Sequence, residues 1–343
     1  MMSNPNRVDI SIHVGLHNQD RESKMQASMG QSGFVHSTST FHYGSHGMPN
    51  VRMSQNVLQN PAEPRQNTAR HYIRQDGRVN IPYCEIDIVH GCNLRCAQCS
   101  HFSPYRSGLV AKEDIIDWLE SWGKKIHSDI INLLGGEPFL HPDLAEIVRE
   151  SSRIFPNSNL EITTNGLLLP RVDFAVFEVL RKANVKVIVS DHSGNDIPYR
   201  QVLDSMNILR KQNVQHMLRN SNRLWHASCR WTEDNVPVPF QSNLRRAWTA
   251  CDAKDCKSLV DNKLYKCSIL ANIAKSVEEG VLSSSLWQAA LTYKPLTLDS
   301  TVDEIAVHLN TNEIPECSNC PEQLLFVENK QLPSSRVGRG EGP

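Results

Sequence analysis

Three cysteines stand close together as Cys92-Asn93-Leu94-Arg95-Cys96-Ala97-Gln98-Cys99, a C-x3-C-x2-C spacing. Three thiolates in so short a loop face one point only around a metal ion or a cluster, and iron–sulfur clusters are held by cysteine thiolates. A cubane [4Fe–4S] cluster has one iron more than this loop has thiolates, so one iron stays open to a small molecule. Zinc is the alternative, but it takes four ligands, commonly in C-x2-C pairs. A second set, Cys251, Cys256, Cys267, Cys317 and Cys320, lies downstream. Cys317-Ser318-Asn319-Cys320 is a C-x2-C pair. Cys251 and Cys267 flank Val260-Asp261-Asn262-Lys263-Leu264-Tyr265, where Asp-Asn between apolar residues reads as a hairpin turn because Asn tolerates positive φ. Four thiolates close a site, which suits an electron relay or a structural knuckle. Cysteine count alone does not separate zinc from iron–sulfur there.

The elements that must carry these residues begin at residue 79. Strands are expected at Tyr83–Val89, Ile130–Leu134, Leu160–Thr164, Val185–Ser190 and Val214–Arg219, and helices at Lys112–Ile126, Asp143–Ile154, Val172–Ala183 and Tyr199–Gln212. A sixth strand is less distinct. Short apolar strands alternating with helices build βα units on a parallel sheet. Polar residues gather just after the strand ends, where βα-barrel active sites lie. They are Gly135-Gly136-Glu137, Thr163-Thr164-Asn165, Ser190-Asp191-His192 and Arg219.

Residues 1–78 are rich in Ser, Asn, Gln, His, Gly and Met and read as a disordered polar segment. Its histidines (His13, His17, His36, His42, His46) show no compact ligand spacing, and Met48 or Met53 could be the true start. The expected domains are 1–78, a barrel over 79–245, an auxiliary domain over 246–326 and a flexible tail over 327–343. Ten cysteines in 343 residues, clustered rather than scattered, point to metal binding or catalysis in a reducing cytoplasm. A net charge of −1 gives no reason to expect nucleic acid or a membrane surface as partner. No apolar run reaches transmembrane length.

The C-x3-C-x2-C loop, followed about 40 residues later by Gly-Gly-Glu at a strand end, resembles the radical S-adenosylmethionine (SAM) enzymes. The resemblance covers roughly residues 80–325. It implies a partial (β/α)6 TIM-like barrel with a small C-terminal α+β auxiliary domain. It implies a [4Fe–4S] cluster on Cys92, Cys96 and Cys99 whose open iron is chelated by SAM. Gly135, Gly136 and Glu137 would meet the SAM amino group, and Asn165, Ser190 and Arg219 its ribose and carboxylate. One departure is Gln98, where the family usually has an aromatic residue touching adenine; the following Ser100-His101-Phe102-Ser103-Pro104 run is expected to supply the stacking ring instead. His101 is expected either to contact substrate or SAM or to cap the loop.

The second set resembles the auxiliary-cluster domain called SPASM, or its shortened twitch form, with Asn262 standing where that pattern has Gly. Cys251, Cys267, Cys317 and Cys320 would hold a second [4Fe–4S] cluster. Cys84, Cys229 and Cys256 remain. Cys84 reads as a core residue, and Cys256 or Cys229 as a thiol that could return a hydrogen atom to a substrate radical.

The resemblance implies hydrogen-atom abstraction by a 5′-deoxyadenosyl radical. It implies an electron donor such as flavodoxin or ferredoxin and a small-molecule substrate bearing a sugar, as in enzymes that tailor antibiotics by oxidation, epimerisation or decarboxylation. A maturase of ribosomally made peptides and a non-catalytic iron–sulfur or SAM-binding protein are the alternatives.

Overall fold

The computed structural model describes His42–Tyr43, Pro49–Asn50 and residues 71–332 except 194–196, 220–223, 234–235 and 329. Most of the expected disordered segment, with four of its six histidines, lies outside the described residues. Within it, His42–Tyr43 pairs antiparallel with Pro49–Asn50. The remainder, from Ala69 onward, is one compact unit.

That unit alternates strand and helix: β1 (Val79–Val89), α1 (Lys112–Gly123), β2 (Ile126–Gly135), α2 (Leu144–Ile154), β3 (Asn159–Thr164), α3 (Phe174–Lys182), β4 (Lys186–Ser190), α4 (Tyr199–Lys211) and β5 (Gln215–Arg219). The five strands pair in parallel in sequence order. Helix α1 stops at Gly123, earlier than its apolar pattern suggests, and Ile126 opens β2. Strand β1 shows why the sheet has two different faces. Cys84, Ile86 and Ile88 join the main apolar core with Trp118, Trp122, Ile147 and Phe177 of the helices. Tyr83, Glu85 and Asp87 alternate with them and point to the other face, as the two-residue period of a strand requires. The cores of β2 and β4 are nearly continuous apolar runs, as expected where helices cover a parallel sheet.

The sixth parallel strand comes from an unexpected place. After β6 (Leu224–His226) and helix α5 (Leu244–Ala250), strand β7 (Lys257–Val260) pairs in parallel with the free edge of β1, and β8 (Lys263–Tyr265) returns antiparallel. The order is therefore β8-β7-β1-β2-β3-β4-β5. The hairpin turn is as the sequence suggests: Asp261 and Asn262 both have positive φ. The hairpin does not form a sheet of its own, however: Lys257–Val260 and Lys263–Tyr265 extend the barrel sheet. Helices α6 (Ser268–Glu278), α7 (Gln288–Thr292) and α8 (Val302–Asn310) follow, and strand β9 (Phe326–Glu328) pairs with β6. Residues 326–332 are thus not a free tail. At the other end, His71 and Asn310 exchange two hydrogen bonds, so 71–78 also belong to the folded unit. Among the described residues no helix is long and apolar enough to cross a membrane.

Candidate active site

The cysteine loop leaves the C-terminal end of β1 and is fastened by the Gly135-Gly136-Glu137 turn at the end of β2. Gly136 N–H donates to Val89 O (2.7 Å) and Glu137 N–H to Gly91 O (3.0 Å). A Cβ on Gly135, whose φ is +130°, would lie 2.1 Å from Val89 O, and one on Gly136 would lie 2.0 Å from Gly91 O. The glycines are needed because two backbones touch, a reason the sequence reading did not supply; it expected them to admit a ligand. Both still line the cavity described below.

The Glu137 carboxylate is taken up within the protein. It is fully buried and accepts from Thr164 Oγ1 (2.6 Å), Asn165 N (2.9 Å) and Phe139 N (3.2 Å). It therefore ties the end of β2 to the end of β3 rather than facing the cavity. Burial pushes it up to about 7 against these three donors. Asn165, held by this carboxylate, turns its amide to the cysteine loop, donating to Asn93 Oδ1 (2.8 Å) and Cys92 Sγ (3.8 Å).

The sulfurs sit among N–H groups. Leu94 N–H points to Cys92 Sγ (3.4 Å) and Gln331 Nε2 to Cys96 Sγ (3.2 Å). Leu94, Leu167 and Ile197 pack around the three cysteines. Burial raises the Cys92 thiol strongly. A buried thiolate becomes stable only when a bound cation compensates its charge.

One cavity of about 510 Å³ opens over the triad, within the range of small-molecule sites. Cys92, Cys96, Cys99, Gly135, Gly136, Asn165, Ser190 and Arg219 all line it, so the structure brings together every candidate of the SAM site except the Glu137 carboxylate. Glu85, Asn132, Thr163 and His192 complete its polar wall. Burial pushes His192 down to about 4, so this ring is neutral. Glu85 and Asn132 were not singled out from sequence, although Glu85 and Asp87 stand two apart in an otherwise apolar strand that runs into the cysteine loop. That pattern is a legible signal of a polar inner face.

His101 also lines the cavity. Burial alone pushes its imidazole down, but the Asp87 carboxylate, 3.4 Å from Nδ1, lifts it to about 9. Behind it, the buried Arg106 guanidinium bonds Glu279 through two nitrogens (2.8 and 3.1 Å) and Asn272 Oδ1 (3.2 Å). This network joins the loop after Cys99 to the helix after Cys267. Phe102 does not supply the expected ring: it is buried against Trp231, ring centres 6.4 Å apart.

The other cysteines divide between two cavities and the core. Cys251, Cys267, Cys317 and Cys320 line a small second cavity of about 40 Å³, together with Lys266 and Trp248. Cys256 does not line it; its place is on the large cavity, as are faces of Cys251 and Cys320. Cys229 reaches neither cavity and packs in an apolar cluster with Phe102 and Tyr265, its thiol pushed up to about 12 by burial. Cys84 is in the main core as expected. Burial lowers Lys266 to about 8, and an anionic centre between the four sulfurs would favour its charged form. Among the described residues no three His, Cys, Asp or Glu groups close on a single ion.

Comparison with known proteins finds a similarity over this region. Residues 86–232 match the Radical SAM superfamily. Over that stretch the chain is similar to the radical SAM enzymes. Curated relatives include GTP 3′,8-cyclase of Microcystis aeruginosa, 31% identical over 115 residues that cover 31% of this chain and 34% of the relative. GTP 3′,8-cyclase of Clostridium acetobutylicum is 32% identical over 120 residues, covering 33% and 35%. Molybdenum cofactor biosynthesis protein 1 of Homo sapiens is 28% identical over 162 residues, covering 40% and 25%. The chain spans about a third of the length of these cyclases. Among solved structures, BtrN in complex with AdoMet and 2-DOIA is 15% identical, with 71% of this chain and 98% of that chain covered and a TM-score of 0.41. Native anSMEcpe with bound AdoMet and Cp18Cys peptide is 20% identical, covering 40% and 42%, with a TM-score of 0.33.

A radical SAM core uses a [4Fe–4S] cluster and SAM, and the residues present fit them. Three thiols with N–H donors on two of their sulfurs suit a cluster. The buried Gln98 Oε1, which has no protein partner and lines the cavity, suits a ligand that donates a hydrogen bond.

Proposed function

We propose that the protein is a radical SAM enzyme that acts on a polar, sugar-bearing small molecule in the cavity above Cys92, Cys96 and Cys99. The observation that carries this reading is that one cavity gathers the triad, the Gly135-Gly136 turn, the polar strand ends and Cys256. When bound, the cluster and SAM supply a 5′-deoxyadenosyl radical, which takes a hydrogen atom from an unactivated C–H bond. The protein's part is to bind, orient and exclude water. Cys92, Cys96 and Cys99 hold the cluster; Asn165, Ser190 and Arg219 are placed to hold SAM; Glu85, Asn132, Thr163 and the imidazolium of His101 offer donors and acceptors to substrate hydroxyls or an anionic group.

Cys251, Cys267, Cys317 and Cys320, which line the small second cavity, would hold a second [4Fe–4S] cluster, and such a cluster would supply an electron relay. Cys256 faces the same cavity as the triad, and burial raises its thiol strongly, so it keeps its proton near neutral pH. In a redox-neutral reaction its S–H bond breaks evenly and the hydrogen atom goes to the substrate carbon. One electron from a flavodoxin- or ferredoxin-type donor and one proton then restore the thiol. Cys229, walled off in its apolar cluster, has no such part. Such chemistry belongs in a reducing cytoplasm, which an oxygen-sensitive cluster requires.

The named activity of the matching relatives makes GTP the first substrate to try; aminocyclitols, aminoglycosides and nucleoside sugars come next. The experiment is anaerobic incubation of reconstituted protein with reductant, SAM and each candidate, measuring methionine, 5′-deoxyadenosine and deuterium transfer from labelled substrate. Absence of reductive SAM cleavage by protein with a full complement of iron would sink the reading. Deuterium transfer from a precursor peptide and not from a sugar would replace it with peptide maturation.

A further inference from the structure

The segment that follows the second cysteine set does not end there. From Cys320 it runs along the rim of the large cavity, pairs through β9 with β6, and reaches the catalytic loop. There it lies antiparallel to the triad: Ala97 N–H donates to Lys330 O and Leu332 N–H to Arg95 O, both at 2.7 Å, with Gln331 opposite Cys96. The Gln331 side chain makes a two-point contact. Its Oε1 accepts from Arg95 N–H (2.8 Å), which fixes the amide plane, and its Nε2 then donates to Cys96 Sγ (3.2 Å). Cys96 is 5% exposed, so this bond acts where water does not screen it.

We propose that Gln331 is a positioning residue for the catalytic cluster: its amide N–H to the Cys96 sulfur raises the reduction potential of that cluster. Hydrogen bonds to cluster sulfurs and solvent exposure both set the potential. A donor stabilises the more negative, reduced form, so its loss lowers the potential. Mere uncovering of the cluster to water acts in the opposite direction, because water also stabilises the reduced form. The two roles therefore differ in sign. The proposal rests on the reading that the triad holds a cubane.

The test is an EPR-monitored redox titration of the full-length reconstituted protein. The catalytic cluster is recognised as the signal that changes when SAM is added. Gln331→Leu removes both side-chain bonds and leaves the backbone pairing. Gln331→Glu keeps the acceptor for Arg95 N–H and removes the donor to sulfur. The expected result is a lower midpoint than wild type in both variants, lower still in Gln331→Glu because a carboxylate faces the sulfur, with the rate of cluster loss to a chelator unchanged in Gln331→Glu. A midpoint that stays or rises in both overturns the proposal while leaving the function reading intact. Wild-type protein with no SAM-sensitive cubane signal overturns both.

Discussion

The two cysteine sites are built in opposite ways. The triad comes from one loop between β1 and α1, and its surroundings are brought to it: the glycine turn on one side, Asn165 on another, Gln331 from the far end of the chain. The second site is assembled from the end of α5, the end of the β7–β8 hairpin and the turn Pro315–Asn319 with the residue after it. A site within one loop keeps its ligands near each other even when the fold is perturbed. A site spread over the chain exists only when the fold does, and when loaded it holds the fold in return. Removing ligands should therefore disable the first site and loosen the second.

The largest effect is expected from Cys92→Ala, Cys96→Ala and Cys99→Ala together: iron falls from about eight to about four per chain and reductive SAM cleavage disappears, with little change in thermal unfolding. Residual cleavage by this variant would contradict the assignment of the triad. Next comes Cys267→Ala against Cys256→Ala. The first should lose the second cluster and lower the unfolding temperature of the iron-loaded protein. The second should keep all its iron, still form 5′-deoxyadenosine, and fail to release product; loss of iron from Cys256→Ala would make that residue a ligand and blur the separation of the two cavities.

Gly136→Ala probes how tightly the triad loop is fastened. Its Cβ would overlap Gly91 O, and backbone cannot yield as a side chain does, so we expect a loss of about 3 kcal/mol or more in urea unfolding of the metal-free protein. An unchanged urea midpoint would show that the two backbones are not in contact.

The smallest effect is a pH dependence. Glu137 rises from 4.5 unfolded to about 7 folded. Below the first value both states hold the proton; between the two only the folded state does; above the second neither does. Stability should fall as pH rises through that window, by up to about 3 kcal/mol, and level off above it. Glu137→Gln removes this slope and costs about 1 kcal/mol at pH 5, because its amide cannot accept from Asn165 N–H as the carboxyl does. Equal slopes for the two proteins in urea titrations of the metal-free chain would refute it.

What could be read from sequence follows the same division. The triad, the glycine turn and the strand–helix alternation depend on neighbours within a few residues, so spacing and periodicity reveal them. The strand-end residues Asn165, Ser190 and Arg219 were placeable because parallel strands end on one side of the sheet. The inward turn of the Glu137 carboxylate has no sequence signature, because a carboxylate in a turn looks the same whether it faces ligand or core. Its three donors come partly from β3. The burial of Phe102 is hidden for a related reason: its partner Trp231 lies far along the chain. The pairing of β7 with β1 and the reach of Gln331 to Cys96 have no local signature, since both join segments more than 170 residues apart. Nothing in the sequence around Cys251 and Cys256 says which one faces the second site; only the turn after α5 decides it.

The place of β7 in the sheet bears on how this protein can be taken apart. Ser258 pairs with Glu85 and Leu259 with Ile86, so the border between barrel and auxiliary region is a hydrogen-bonded ladder, not a tether. The C-terminal region is then no portable cassette. A chimera that imports another enzyme's auxiliary region must also import a strand in register for β1. Otherwise it leaves the strand that feeds the catalytic loop as a bare edge, open to pairing with a second molecule.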